Sequence, residues 1–263
     1  MKKIVSGADE WSVFRLNLIS GCSNDCLYCY AHENAERFRW REGRDWKDDE
    51  VVSEQLVEKM KRYPGRVMYP STHDITPVHL QESLTYIERI LVAGNSLLIV
   101  SKPHLDCIRA ICDRFSNYRD KITFRFTIGS ANSAVLKFWE PGAPDFAERF
   151  ASLKYAHSQG YATSVSGEPM LDLEIDKVID QVLPYVTDSI WLGKANKLRN
   201  RLTLNGHKDD ETLRRATELL SWQSDANIWA LYERYRDDPM IKWKESIKIV
   251  VGIDLATEPG LDL

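Results

Sequence analysis

Long hydrophobic runs, a strong charge of either sign and abundant cysteine are all missing from this sequence. No apolar run approaches the roughly 18 residues that a membrane span needs, so a membrane-spanning helix is not expected. The formal net charge is -4 over 263 residues. Nothing in that balance draws the chain to nucleic acid or to an anionic membrane, although a local basic groove stays compatible with it. The first residues, MKKIVSGADEW, carry two lysines with no apolar stretch behind them and do not read as a signal peptide. A cytoplasmic, reducing location is the expectation. In such a compartment clustered cysteines belong to metal binding or redox chemistry rather than to a disulfide framework. Repeats and low-complexity linkers are absent too. With 43% hydrophobic and 28% charged residues, the composition is that of an ordinary globular chain, long enough for one large domain or two small ones.

What is present is an alternation of short β-branched runs with helix-like stretches. Strands are expected at Ser12–Ile19, Gly65–Pro70, Ser96–Lys102, Lys121–Gly129, 161–167 and Asp188–Gly193, with a last one at Ser246–Asp254. Between them, Glu50–Tyr63 reads as a helix. Leu80, Leu84, Ile87 and Leu91 lie at helical spacing after Pro77 and before Gly94. Further helices are expected over 104–115, 145–160 and 174–186, with a longer helical region at roughly 209–236. Such alternation predicts a parallel sheet with right-handed crossovers. The fold expected is α/β, a partial (β/α)6 TIM-like barrel with a C-terminal helical extension and tail. It forms one domain over 1–263, with the core at about 12–193. Chemistry in such folds sits at the C-terminal ends of the strands.

Three of the 5 cysteines, Cys22, Cys26 and Cys29, fall within eight residues, on a loop directly after the first expected strand. Three thiolates at C-x3-C-x2-C spacing can face one point. A structural zinc site closes with four ligands, and His32 or a distant residue would have to be the fourth. A 4Fe-4S cluster held by three cysteines instead leaves one iron open to a substrate or cofactor.

With Tyr28 just before the third cysteine, the loop resembles that of the radical S-adenosylmethionine superfamily. NLISGCSNDCLYCYAHE is similar to the cluster region of its spore photoproduct lyase, or photolyase-like, branch. STHDITPVHLQES, IVSKPHLD, FRFTIGS and WEPGAPDFAERFASLKYAHSQGY resemble later segments of that branch. The resemblance covers roughly Val13 to Met170. It implies an enzyme with two cofactors, a 4Fe-4S cluster and S-adenosylmethionine. The latter would be cleaved reductively to a 5′-deoxyadenosyl radical that takes hydrogen from the substrate.

The resemblance also implies roles. Cys22, Cys26 and Cys29 would hold iron, and Tyr28 would lie beside the adenine. Asp74 would meet the methionine ammonium, with hydrogen bonds from Ser71, Thr72 and His73. Lys102 would meet its carboxylate, and Thr127 and Ser130 the ribose or carboxylate. Read without the resemblance, Lys102 is an ordinary solvated lysine and Asp74 a turn former or cap. Glu168, after the fifth expected strand, is the candidate substrate ligand or proton acceptor, with capping as the alternative. Cys107 and Cys112 read as core.

One departure is informative. Spore photoproduct lyases carry a cysteine that returns hydrogen to the product radical, and here that position is Ser71, whose O–H bond is too strong for the task. The candidate catalytic residues are therefore Glu168 and Ser71. The reaction expected is a rearrangement or a repair on a nucleic-acid base or modified thymidine. A peptide or small metabolite is the alternative substrate, and a non-catalytic metal-stapled module the alternative class. Two basic stretches support a DNA or nucleoside substrate: Arg37, Arg39, Arg41 and Arg44, interleaved with Phe38, Trp40 and Trp46, and Lys197 with Arg199. The alternative for the first is a solvated loop whose tryptophans pack inward. A one-electron donor of flavodoxin or ferredoxin type is the other expected partner; no membrane is.

Overall fold

The computed structural model describes residues 5–261. Lys2 and Lys3, which enter the signal-peptide argument, lie outside them. In chain order the strands are β1 (Phe14–Arg15), β2 (Ile19–Ser20), β3 (Glu50–Val51), β4 (Val67–Tyr69), β5 (Leu97–Ser101), β6 (Ile122–Thr127), β7 (Ala162–Gly167), β8 (Ile190–Leu192) and β9 (Ile241–Trp243). Seven of them form one parallel sheet in the order β1-β4-β5-β6-β7-β8-β9, curled into a half barrel, while β2 and β3 make a separate antiparallel pair. The helices are α1 (Tyr30–Phe38), α2 (Ser53–Val57), α3 (Leu80–Val92), α4 (Leu105–Arg114), α5 (Ser133–Trp139), α6 (Phe146–Ser158), α7 (Ile175–Val182), α8 (Leu198–Leu204), α9 (Asp210–Trp222), α10 (Asp225–Tyr235) and α11 (Glu245–Val251).

Strand alternation sorts the side chains onto two faces. Val67, Tyr69, Leu97, Ile99, Phe124, Phe126, Val165 and Ile190 meet the apolar faces of the surrounding helices in the main core, where Leu84, Ile87, Ile108, Leu153, Ile179 and Ile247 join them. Register rows put Arg15 beside Met68, Val100 beside Arg125, Arg125 beside Ser164, and Ser166 beside Trp191 on the other, concave face. There Trp11, Met68, Leu98 and Trp191 pack together. The Arg125 guanidinium lies 4.8 Å from the Trp11 ring and 5.4 Å from Trp191. It also donates to Asp188 (3.0 Å) and Ser164 (2.9 Å).

Four expected elements differ. Ser246–Asp254 is not a strand: α11 occupies most of it, and the seventh strand of the parallel sheet lies earlier, at β9. The β-branched run Ile247–Val251 is overruled by packing, because Ile247 and Val251, a helical turn apart, are buried while Ile249 is exposed. Glu50–Tyr63 is not one helix. Val51 pairs with Ile19, and Val52 N–H donates to Leu18 O at 2.8 Å. Helix α2 stops early, and Arg89 donates to the carbonyl of its Gln55 at 2.9 Å and to that of Leu56. The strand expected over Ser12–Ile19 divides into β1, which joins the parallel sheet, and β2, which leaves it. The helical region after 209 is two helices that meet at Gln223 and Ser224.

Candidate active site

The strand C-termini open into one cavity of about 410 Å³. Cys22, Cys26 and Cys29 form one wall, on the loop that follows β2. The segment after β4, Lys102 after β5, Thr127 at the end of β6 and Glu168 after β7 also line the cavity.

The cysteine loop is fixed by backbone bonds to distant parts of the chain. Cys22 N–H donates to Trp46 O (2.9 Å), Leu27 N–H to Trp139 O (2.9 Å) and Gly142 N–H to Asn24 O (3.0 Å). A Cβ on Gly142 would lie 2.1 Å from Ser23 O, and one on Gly21 (φ +89°) 2.7 Å from Trp46 O, so both approaches require glycine. Asn205 donates through its side-chain amide to Leu27 O and Cys29 O, each at 3.0 Å. Cys29 caps α1, its Sγ accepting from His32 N–H at 3.4 Å.

Burial pushes all three thiols above their ordinary range; the Asp74 charge adds to this at Cys22 and Cys29, and the Lys102 ammonium opposes it at all three. Thiols held this way become thiolates when a strongly cationic group binds. Among the described residues, no three His, Cys, Asp or Glu side chains are arranged about a single ion. His32 does not join the thiols. It stacks on Trp46 (5.2 Å between ring centres) and pairs with Glu36 (3.6 Å). Three cavity-facing thiols suit a cluster that spreads its ligands over several irons and leaves one iron free.

Beside the cysteine loop, Asn17 organises the segment after β4. Its Oδ1 accepts from the N–H of Ser71 (2.8 Å) and of Thr72 (2.9 Å), and its Nδ2 donates to Ser71 Oγ (2.9 Å). Both nitrogens of His73 are committed within the protein. Nε2 accepts from Leu18 N–H at 3.2 Å, and Nδ1 lies 3.0 Å from Asp74 O. Burial lowers its pKa to about 4, so the ring is neutral. Against the expectation of hydrogen bonds to a cofactor, His73 ties the segment after β4 to the chain between β1 and β2.

Asp74 accepts from Lys102 N–H (2.6 Å), Ser101 Oγ (2.9 Å) and Asn24 Nδ2 (2.8 Å), with Lys102 Nζ at 3.6 Å. Burial works against its charge, yet the Lys102 ammonium and these donors outweigh it and hold the carboxyl below the usual range. One anion and one cation thus share the thiol end of the cavity.

Tyr28 lines the cavity with its ring, and its hydroxyl donates to the buried Glu140. Glu140 in turn pairs with Arg149 at 2.5 Å, and Arg149 donates to Thr127 O at 3.1 Å. Ser130 is not among the residues that line the cavity. It donates to Asp172 and accepts from Asn132 N–H (2.9 Å), so it shapes the loop after β6.

Glu168 reaches the cavity, with Lys244 Nζ 3.5 Å from its Oε2. Burial raises its pKa, and Lys244 opposes the rise.

The first basic stretch divides. Arg41 is buried and donates to Ser20 Oγ (2.8 Å) and to the carbonyls of Asp45 (3.2 Å) and Asp48 (2.5 Å), and Trp46 is buried as well. Arg41 is therefore a loop brace rather than a phosphate ligand, and Arg44 pairs with Glu50. Phe38 and Trp40 point outward, 57% and 66% exposed, and stack at 5.3 Å. Arg37, Lys197 and Arg199 line one shallow surface groove.

Sequence reasoning missed Asn17, Asn24, Glu140, Arg149, Asn205 and Lys244. Asn17 and Asn24 flank the cysteines closely enough to have been noticed. Glu140 and Arg149 pair with each other inside the WEPGAPDFAER segment, whereas the partners of Asn205 and Lys244 lie far away in sequence.

A parallel half barrel with a thiol-lined cavity at its strand ends defines the class of enzyme that builds radicals on a three-cysteine cluster. The model of the radical SAM superfamily matches residues 16–183, and the chain belongs to that superfamily. Its cofactors are accordingly a 4Fe-4S cluster and S-adenosylmethionine. It is 24% identical to the uncharacterized protein ORF301 of Acidianus two-tailed virus, over 81% of this chain and 80% of that one. In fold it is similar to a spore photoproduct lyase bound to S-adenosylmethionine and a dinucleoside spore photoproduct (TM-score 0.53, 16% identity, 92% of this chain and 78% of that one). It is likewise similar to SuiB of Streptococcus suis bound to S-adenosylmethionine (TM-score 0.52, 11% identity, 94% and 54%). No helix among the described residues is long and apolar enough to cross a membrane.

Proposed function

We propose that this enzyme acts on a nucleic-acid base, a modified thymidine first among them, by a lyase or isomerase reaction that rearranges or repairs it. When bound, cluster and cofactor supply one-electron cleavage and a hydrogen-abstracting radical. Cys22, Cys26 and Cys29 hold the iron. Asp74 takes the methionine ammonium and Lys102 the carboxylate, each exchanging part of its present pairing for the cofactor's opposite charge. Thr127 and the Ser71–Thr72 turn border the same end, the Tyr28 ring packs beside the adenine, and Ser130 acts through the loop it shapes. Glu168 accepts a hydrogen bond or proton from the substrate. Ser71 stands where a hydrogen donor would be needed and is a poor one, which favours a reaction that takes its hydrogen back from 5′-deoxyadenosine. The chain works as one domain, in the cytoplasm, with a flavodoxin- or ferredoxin-type donor.

The observation that carries the nucleic-acid reading is the surface beside the cavity. The exposed Phe38–Trp40 stack, with Arg39 between, offers π-faces to bases. Nearby, Arg37, Lys197 and Arg199 offer cations to phosphates. Helix α8 carries Arg199 on that surface and Arg201 into the cavity, so a strand held outside would deliver one base inward.

Two assays test this. Protein reconstituted anaerobically with iron and sulfide, then given dithionite and S-adenosylmethionine, is expected to form 5′-deoxyadenosine, and Cys26→Ala to form none. A labelled single-stranded oligonucleotide is expected to bind, and Arg39→Glu/Lys197→Glu/Arg199→Glu to weaken it at least tenfold (about 1.4 kcal/mol). Cleavage without oligonucleotide binding would turn the search to peptides and small metabolites.

A further inference from the structure

The substrate end of the cavity contains a buried charge network that the radical chemistry leaves unused. The Lys244 ammonium is fully buried. It pairs with Glu10, donates to Gly7 O at 2.7 Å, lies 4.2 Å from the centre of the Trp11 ring, and stands 3.5 Å from Glu168 Oε2. Next to it in sequence, Glu245 lines the cavity and accepts from Gly7 N–H at 2.9 Å. The chain start, residues 5–11, is thereby strapped across the half barrel. Val5 N–H to Ala256 O (3.1 Å) and Gly260 N–H to Asp9 O (2.9 Å) fasten its outer side. Ser6, Gly7 and Trp11 of this strap form cavity wall.

A buried ammonium needs anionic partners. Lys244 has two, on different sides: Glu10 within the strap and Glu168 at the end of β7. The charged groups that face Glu168 are Lys244, Glu245 and Arg201. Those that face Glu10 are Lys244, Glu245 and Lys248, the last at 4.0 Å. Burial lifts Glu10 to about 7, so as pH falls below neutral it takes up a proton and leaves the Lys244 charge to Glu168.

We propose that Lys244 is the positioning residue of the substrate site: anchored to the N-terminal strap through Gly7 O and Glu10, it holds Glu168 in the cavity as a hydrogen-bond acceptor. A substrate group that meets Glu168 then presents an N–H or O–H donor, as the imide of a pyrimidine does. The role of Glu168 toward substrate rests on the function proposed above, but its tie to Lys244 does not.

The test is the titration of Glu168 in the reconstituted protein, followed by carbon-13 NMR of labelled glutamate side chains and assigned with Glu168→Gln. Lys244→Met is expected to raise the Glu168 midpoint by about one pH unit or more, and Lys244→Arg to keep it near wild type. Should Lys244→Met not fold, because Glu10 is left without its cation, the Glu10→Gln/Lys244→Met pair removes that strain and is expected to show the same rise. Glu10→Gln alone supplies a third reading: Glu10 already carries a proton below neutral pH, so this substitution is expected to leave the Glu168 midpoint near wild type. A midpoint that stays within about 0.3 units of wild type in folded Lys244→Met, or in folded Glu10→Gln/Lys244→Met, overturns the proposal. No substrate is needed, so that result leaves the nucleic-acid reading standing. Conversely, a Glu168 that titrates as expected in an enzyme that turns over no nucleic acid strikes the nucleic-acid reading alone.

Discussion

The pair behind the cysteine loop gives the sharpest stability test. Arg149→Met deletes the guanidinium that meets Glu140 at 2.5 Å, with both side chains fully buried. It also deletes donors to Pro144 O (2.8 Å) and Thr127 O (3.1 Å). Methionine keeps much of the aliphatic stem, so the lost volume is minor. The main cost is a carboxylate left in the interior with Tyr28 as its remaining hydrogen-bond donor. Breaking one side of a buried ion pair costs about 3–5 kcal/mol. At roughly 2–4 °C per kcal/mol for a chain of this size, the expected fall in Tm is about 6–20 °C.

The control is Glu140→Gln/Arg149→Met. It leaves no charge at this site, and a neutral amide can still accept from Tyr28, so its loss is expected to be only about 1–2 kcal/mol. Urea unfolding followed by far-UV circular dichroism measures both. A single variant within about 1 kcal/mol of wild type, or a double variant less stable than the single, would refute the assignment of the cost to a stranded Glu140 charge. The same substitution frees the Thr127 carbonyl and loosens the Tyr28 hydroxyl at the cavity wall, so 5′-deoxyadenosine formation is expected to fall as well.

Gly142→Ala drives a methyl group into Ser23 O; it is expected to destabilise by about 1–3 kcal/mol and to lower the iron bound per chain after reconstitution, read by iron assay and visible absorbance. Asn205→Ala unties Leu27 O and Cys29 O; a loss of about 1–3 kcal/mol and faster cluster loss in air are expected, with absorbance decay as the measure. For Glu10, burial against the pull of Lys244 raises the pKa from 4.5 to about 7, so the folded protein keeps a proton that the unfolded chain releases earlier. The stability this contributes is complete below about pH 4.5 and is lost as pH rises through 7. Glu10→Gln is expected to flatten that stretch of the stability–pH curve by on the order of 3 kcal/mol, measured by urea unfolding across the range.

The half barrel was legible because alternation of strand and helix is a local signal, repeated along the chain. Failures came where local preference and long-range packing disagree. Ile247, Ile249, Val250 and Val251 favour a strand locally, but Ile247, Lys248 and Val251 turn inward together as the buried side of α11. At 50–52 the reverse holds, since β2 supplies backbone partners that an isolated stretch cannot anticipate. The cysteine spacing was equally local and placed the site. Asp74, Lys102 and Glu168 follow strands, and the structure brings all three to the cavity. Ser130 also follows a strand but turns into its own loop toward Asp172. Arg41 looked like one cation of a basic run, and only the fold around Asp45 and Asp48 makes it a brace.

The least legible part, the chain beyond 193, is the part without which the cavity is incomplete. β9 pairs with β8 and continues the parallel sheet. Removing it would leave β8 as a bare edge that presents unpaired backbone groups. Asn205, whose amide ties down the loop between Cys26 and Cys29, would go with it, as would Lys244 and the anchorage of Gly7. A chain ended at 193 is therefore expected to lose the geometry of the thiol wall although it retains every cysteine, and to bind far less iron on reconstitution. The control is a chain ended at 255, which keeps β9, Asn205 and Lys244 and gives up the backbone bonds of Ala256 and Gly260. Full iron binding by the 193-residue form would mean that the cysteine loop organises itself, and that the bonds from Asn205 follow the cluster's geometry instead of setting it.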